Sequence, residues 1–213
     1  MKTVIITGGT GGLGPDVVAR LSRTYRCVLL ARHADGENVL QVDLNHEASV
    51  VDAVAQAAQR FGAPYALVHM AGGYAGGSVR ETSLDTWQKQ LALNLTGAFL
   101  MIRETLAVMN RNEPGRIVAI SSEATITKMA SAAAYTISKT ALNALIELTA
   151  KELLDTKITA NALVPATLDT KASREAMPNA KRVPLDRVAS AVEYLLSDEA
   201  SNLSGALIPL RAS

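Results

Sequence analysis

Three residues in one stretch of the chain, Ser122, Tyr135 and Lys139, could together move a proton onto or off a carbonyl oxygen. If residues 131–154 form a helix, the phenol and the ammonium four residues later lie on the same face. A free phenol titrates near ~10, and one positive charge about 4 Å away stabilises the phenolate by roughly 4 kcal/mol, enough to lower its pKa to about 7. The alternative interpretation is an exposed tyrosine beside a solvated lysine.

Ser122 follows the apolar run GRIVAIS, which predicts a strand. Its hydroxyl would therefore emerge at the carboxyl end of a strand, where open α/β sheets bind their ligands. We expect this hydroxyl to hold a substrate oxygen against Tyr135.

A glycine cluster at residues 8–14 lies between a predicted strand at residues 2–7 and a predicted helix that begins near Asp16. Glycines let the backbone approach a pyrophosphate closely, and a helix N-terminus offers free N–H groups to phosphates. Pro15 suits the first helical turn, where its missing N–H costs nothing. The pattern predicts a dinucleotide site, and the alternative is a plain flexible turn.

The chain resembles the short-chain dehydrogenase/reductase family over nearly its whole length in one ordered set of residues: Thr7-Gly8-x-x-x-Gly12-x-Gly14, Asn94, Ser122, Tyr135 and Lys139. This resemblance implies that Tyr135 is the general acid/base, that Ser122 orients the substrate carbonyl, and that Lys139 lowers the tyrosine pKa and binds the nicotinamide ribose. It also implies that Asn94 helps to hold a proton-relay water. The alternative for Asn94 is a buried amide bonded to neighbouring backbone.

The glycine pattern and the resemblance together imply a set of dinucleotide contacts: Gly8, Thr10, Gly12, Leu13, Gly14, Ala31, Arg32, Asp43, Leu44, Ala71, Gly72, Gly73, Tyr135, Lys139, Pro165, Thr167, Leu168 and Thr170. Cofactor choice depends on the end of the second strand, where an acidic residue favours NAD(H) and an arginine accommodates a 2′-phosphate. Arg32 there favours NADP(H) over NAD(H), unless it is merely a solvated loop residue. Asp43 would contact the adenine, or else cap a helix.

The fold class predicted is α/β, a single Rossmann-fold domain over residues 1–213 with a doubly wound, seven-stranded parallel sheet and helices on both faces. Seven apolar runs alternate with helical patterns: KTVIIT, RCVLLA, VLQVD, ALVHMA, GRIVAIS, ITANALV and ALIPL. Only His33 to Asn38 separate the second run from the third, which predicts a bare loop there. The helix from Leu84 to about Asn112 is apolar nearly all round, which predicts a homodimer or homotetramer, as the resemblance also implies.

Composition gives no sign of other partners. The 21 basic and 20 acidic residues balance, so no field attracts nucleic acid or an anionic membrane. No apolar run approaches the ~18 residues of a membrane span, so we expect none. With Cys27 as the single cysteine, no intrachain disulfide forms, and a cytoplasmic location is expected. We expect no metal site.

After the fourth strand the family usually carries Asn-Asn-Ala-Gly, where this chain has His69-Met70-Ala71-Gly72. We expect His69 and Met70 to be packed strand-end residues and the asparagine hydrogen bonds to be lost. After the sixth strand the usual Pro-Gly is Pro165-Ala166, and the short segment that follows predicts no large substrate lid.

The loops AGGYAGG and PATLDTKASREAMPNA resemble those of the dihydropteridine reductase branch of the family. That likeness adds Tyr74, Ala166 and Met177 to Ser122 and Tyr135 as substrate contacts, with Tyr74 a stacking surface for a flat ring. The branch usually lacks the serine and prefers NADH, so general carbonyl reduction or alcohol oxidation ranks above pterin reduction. A dinucleotide-sensing protein without chemistry is the remaining alternative.

Overall fold

A seven-stranded parallel sheet forms the centre of the computed structural model, which describes residues 1–212. The strands, in the spatial order β3-β2-β1-β4-β5-β6-β7, are β1 Thr3–Thr7, β2 Arg26–Ala31, β3 Val39–Gln41, β4 Ala66–His69, β5 Gly115–Ile120, β6 Ile158–Pro165 and β7 Leu207–Leu210. The order reverses between β1 and β4, so a crevice forms beyond their carboxyl ends. The predicted fold class is confirmed.

Helices cover both faces of this sheet: α1 Gly14–Leu21, α2 Glu47–Phe61, α3 Leu84–Leu91, α4 Gly97–Val108, α5 Ala124–Thr127, α6 Ala133–Glu152, α7 Lys171–Ala176 and α8 Leu185–Leu196. Alternate strand residues point to opposite faces. Ile5 and Leu67 therefore pack into the core beneath α2, α4 and α6, whereas Val4 and Val68 pack beneath α1 and α8. Burial on both faces explains why the strands are almost continuously apolar.

The connection from β2 to β3 is the bare loop that the sequence predicts, with no helix between Ala31 and Val39. It suffices because β3 has three residues, so the chain travels back only about 10 Å before pairing in parallel. The predicted strand extended to Asp43, which lies instead in the turn before α2.

The long apolar helix predicted from Leu84 is interrupted and ends early. A π-helical turn at Ala92–Thr96 separates α3 from α4. The helix ends at Val108, before Asn110, whose side chain accepts a hydrogen bond from the backbone N–H of Asn112 and holds a turn. By length and mean hydropathy the run Leu84–Val108 would suffice to cross a membrane, so the prediction that no apolar run approaches this length is wrong. In the structure this run packs against α2, α6 and β4.

Candidate active site

Asn94 lies in the π-helical turn, where the irregular winding directs its side chain into the protein. It is fully buried. Its Oδ1 accepts from the backbone N–H of Gly73, and its Nδ2 lies within hydrogen-bonding distance of Gly73 O, Gln90 Oε1 and Ser138 Oγ, all at 2.9–3.1 Å. Asn94 is therefore a buried amide bonded to neighbouring backbone, and it holds the loop after β4 beside α6. Its role in holding a proton-relay water stays a prediction. π-Helical turns occur often at functional sites.

Lys139 is a buried cation in the second turn of α6. Its Nζ donates to the backbone carbonyl of Ile120 over 2.8 Å. Burial lowers the pKa of this ammonium to about 8. A Cβ on Gly72 would lie 3.1 Å from this Nζ and 2.7 Å from Oδ1 of Asn94, so the loop passes close to both groups only because residue 72 is glycine.

The pKa of Tyr135, one turn before Lys139, is raised, whereas the sequence predicts that it is lowered. Burial raises the pKa of the phenol, the side-chain hydrogen bond of Ser122 opposes that rise, and nearby Tyr74 adds to it. The predicted lowering by Lys139 is not found here, since the lysine donates to Ile120 and desolvation of the phenolate is the larger effect. The phenol is therefore protonated at neutral pH.

Ser122 lies two residues after β5, at the carboxyl edge of the sheet as predicted. Its Oγ accepts from the backbone N–H of Ala124 over 3.2 Å, in the first residue of α5. This contact orients the serine hydroxyl, which opposes the rise in the pKa of Tyr135. The sequence did not predict α5, which has one turn.

Tyr74 meets Tyr135 edge to face, with ring centroids 5.1 Å apart and planes at 69°. Such a pair contributes about 0.5–1.5 kcal/mol beyond area burial and fixes the orientation of both rings. Tyr74 is 61% exposed, so it offers a free aromatic surface directly beside the phenol. Met177, just after α7, is 44% exposed, and Ala166 is half-buried after β6.

The glycine turn fits a closely approaching pyrophosphate. Gly8 has φ +72°, and a Cβ there would collide with the backbone of Ala71 at 2.6 Å. A Cβ on Gly14 would lie 2.2 Å from the carbonyl oxygen of Gly9. No side chain caps the N-terminus of α1, but the N–H of Gly14 already donates to the carbonyl of Gly11 over 3.1 Å and Pro15 has none, so the N–H of Asp16 is the one this first turn offers to a phosphate. A Cβ on Gly12 would lie 3.0 Å from Cγ2 of Thr170, which brings the segment after β6 over the turn.

The adenine end of the predicted dinucleotide site is open. Arg32 is exposed after β2, and within residues 1–212 its guanidinium makes no ion pair. Asp43 holds a turn by accepting from the backbone N–H of Asn45 over 2.9 Å, and Oδ2 lies 3.6 Å from His46. It caps no helix, because His46 precedes α2. Leu44 packs against Gly97.

The other predicted contacts line the same sheet edge: Thr10 and Gly73 in loops, Ala31 at the end of β2, Pro165 at the end of β6, and Thr167 and Leu168 after it. Leu13 is different, because its side chain packs in the core and leaves only backbone to face a ligand. Sequence reasoning missed Gln90 and Ser138, which hold Asn94. The i, i+4 spacing of Gln90 and Asn94 was a usable signal.

His69 is packed at the strand end as predicted, fully buried at the end of β4. His69 cannot make the hydrogen bonds of the family's asparagine, but it makes a side-chain hydrogen bond of its own. Nδ1 of His69 and Oγ1 of Thr7 lie 2.9 Å apart and join the ends of β1 and β4. Burial, together with the charge of Lys139, lowers the pKa of His69 to about 3, so the ring is neutral at physiological pH.

Known proteins of similar sequence and structure are dehydrogenases or reductases. The family model described as short chain dehydrogenase matches residues 2–181. A 3-alpha-(or 20-beta)-hydroxysteroid dehydrogenase of Mycobacterium bovis is 30% identical over 96% of this chain and 86% of its own length. The 2,5-dichloro-2,5-cyclohexadiene-1,4-diol dehydrogenase LinX of Sphingobium indicum is 26% identical over 98% and 94%. The structure of a short-chain type dehydrogenase/reductase from Mycobacterium ulcerans superposes with a TM-score of 0.92, at 24% identity over 99% of this chain and 88% of that one.

Proposed function

Because the chain belongs to the short-chain dehydrogenase/reductase family and is an NAD(P)-dependent oxidoreductase, we propose that Tyr135 is its general acid/base for a small carbonyl or alcohol substrate. The observation that carries this proposal is the convergence of Ser122, Tyr135 and buried Lys139 at the carboxyl edge of the sheet. A dinucleotide-sensing protein has no need of this arrangement.

In the proposed reduction, Ser122 orients the substrate oxygen and the Tyr135 hydroxyl donates its proton to that oxygen. The raised pKa of Tyr135 keeps this proton in place until negative charge develops on the substrate. Lys139 supplies positive charge nearby, and its tie to Ile120 fixes its position. The nicotinamide cofactor, when bound, supplies or accepts the hydride at the carbonyl carbon. Oxidation of an alcohol is the reverse, with Tyr135 accepting the proton.

The residues that would hold the dinucleotide are the glycine turn, Arg32, Lys139 and the segment after β6. Arg32 supports NADP(H) over NAD(H), because an exposed guanidinium without an ion-pair partner in the described chain is free for a 2′-phosphate. Asp43 is proposed to contact the adenine. Its Oδ1 already accepts a hydrogen bond from the backbone N–H of Asn45.

The proposed substrate is a small or flat molecule with its carbonyl or alcohol group on a ring. The exposed face of Tyr74 stands beside Tyr135 and offers a stacking surface for a flat ring. The hydroxysteroid and cyclohexadienediol dehydrogenases named above act, by their names, on alcohols of ring compounds. The likeness of two loops to dihydropteridine reductase stays a prediction, with a pterin as the alternative flat substrate.

We also propose that the protein works as a homodimer or homotetramer in the cytoplasm. Ile137, Ala141, Ala144 and Leu148 follow one another at helical spacing on α6. Ile137 is 48% and Leu148 54% exposed, so this apolar stripe fits a second copy of the chain.

Fluorescence titration of the purified protein with NADPH and NADH tests the proposal, followed by addition of cyclic ketones, quinones and quinonoid dihydropterin. Tighter binding of NADPH and its oxidation by cyclic ketones or quinones are expected. Turnover of the pterin alone with NADH would favour the alternative substrate. Cofactor binding without hydride transfer across the whole panel would contradict the enzyme proposal.

A further inference from the structure

The segment after β6 folds back on itself around α7. The backbone N–H of Val183 donates to the carbonyl of Thr167 over 2.8 Å, and the N–H of Asp169 donates to the carbonyl of Val183 over 3.0 Å. These bonds join the two ends of residues 167–183, the segment that carries Thr170 to Gly12. The segment is therefore an ordered cover and not an open loop.

Arg182 holds this segment at the C-terminal end of α7. Its guanidinium donates to the carbonyls of Ser173, Met177 and Ala180, and its side chain is only 15% exposed. Carbonyls at a helix C-terminus lack partners within the helix and carry the negative end of its dipole. A planar, always charged group suits them better than a lysine does.

Asp169 links Arg182 to the beginning of the same segment. Its carboxylate accepts two parallel hydrogen bonds from Arg174, at 2.7 and 2.9 Å, while Nε of Arg182 lies 3.9 Å away. The guanidinium of Arg174 lowers the pKa of Asp169, which keeps the carboxylate charged. Thus one carboxylate and two guanidinium groups, Asp169, Arg174 and Arg182, form a clasp around α7.

Thr170 connects this clasp to the glycine turn. The Oγ1 of Thr170 accepts from the backbone N–H of Ser173 over 3.2 Å and caps α7. Its Cγ2 lies where a Cβ on Gly12 would come within 3.0 Å. The position of Thr170 over the turn therefore depends on how α7 is held.

We propose that Arg182 is a positioning residue that holds residues 167–183 folded, so that Thr170 stands over the glycine turn before the cofactor binds. The inference rests on the proposed function, in which the dinucleotide lies against Gly12. A cover that is already ordered removes the cost of ordering it on binding, so affinity for the whole dinucleotide increases. The adenosine half, which lies at Arg32, does not depend on the clasp.

The test compares Arg182→Met with Arg187→Met, a matched control. Arg187 is exposed at the start of α8, and within residues 1–212 its only ion-pair contact is Asp186, at 4.0 Å. Dissociation constants are measured for NADPH and for adenosine 2′,5′-bisphosphate. Arg182→Met should weaken NADPH binding about tenfold and change adenosine bisphosphate binding by less than about twofold. Arg182→Lys should fall between, and Arg187→Met should match the wild type.

Limited trypsin digestion gives a second readout that needs no cofactor. In Arg182→Met, cleavage after Lys171 and Arg174 should be faster than in Arg187→Met, because the segment opens more often. Equal NADPH affinity in Arg182→Met and wild type overturns the inference alone, as does equal weakening of both ligands, which signals general damage. A wild-type protein that binds neither ligand overturns the proposed function, and the inference with it.

Discussion

The Nζ of Lys139 is joined to the carbonyl oxygen of Ile120 by a hydrogen bond of 2.8 Å. This bond ties α6, which carries Tyr135, to the end of β5, which leads directly to Ser122. The cation, the phenol and the hydroxyl are thus held by two adjacent elements of the core. Because Lys139 is buried and its pKa is lowered to about 8, its charge is also sensitive to pH near neutrality.

Loss of the charge on Lys139 should slow carbonyl reduction. Lys139 is an ammonium below about pH 8 and neutral above it, so the rate constant for carbonyl reduction should fall as pH rises through that value. Lys139→Arg keeps a charge that does not titrate in this range. The Lys139→Arg variant should therefore lack the alkaline decline in rate that the wild type shows. A wild-type profile that stays flat to pH 10 would argue against the assigned role.

His69 should make the protein sensitive to acid. Its folded pKa of about 3 lies below the ordinary value of ~6.5, so the unfolded state binds more protons between these pH values. The free energy of unfolding should therefore fall by on the order of 1 kcal/mol per pH unit from this group as pH drops below about 6.5. Urea unfolding of His69→Asn, compared with wild type from pH 7 to pH 4, should show a shallower decline. His33→Asn, in the exposed β2–β3 loop, is the control, and parallel curves for wild type and His69→Asn would refute the prediction.

Arg32 should determine the cofactor preference. Arg32→Ala should weaken NADPH binding by roughly ten- to a hundredfold, equivalent to the roughly 1.5–3 kcal/mol of a charge-assisted hydrogen bond. NADH binding should change little, because NADH has no 2′-phosphate. Arg23→Ala, another exposed arginine, serves as the control in the same titration. Equal loss for both cofactors would mean that Arg32 does not contact the phosphate.

The apolar stripe of α6 should mediate self-association. Leu148→Glu places a charge on the exposed stripe and should reduce the molecular mass measured by light scattering toward that of the monomer. Leu154→Glu is the matched control, since Leu154 is 78% exposed but lies beyond α6. If both variants keep the wild-type mass, another surface forms the oligomer, or none does.

The sequence was sufficient to predict the elements whose patterns are local. The apolar runs of the strands, the bare loop after Ala31 and the glycine turn all follow from residue order and chain geometry. Tertiary effects were not predictable in this way. The raised pKa of Tyr135 comes from burial by distant segments, and the bond between His69 and Thr7 joins residues 62 positions apart. The π-helical turn at Asn94 interrupts a helix that its own residues would continue.

The role of Tyr135 is tested most directly by Tyr135→Phe, measured for both NADPH affinity and turnover on the best ketone or quinone. Removing the phenolic proton should lower the rate constant by roughly a hundred- to ten-thousandfold, the usual contribution of a general acid. The NADPH dissociation constant should stay within about threefold of wild type. Tyr194→Phe, on the surface of α8, is the control and should leave both quantities unchanged. A pure Tyr135→Phe protein that keeps wild-type turnover would contradict the account.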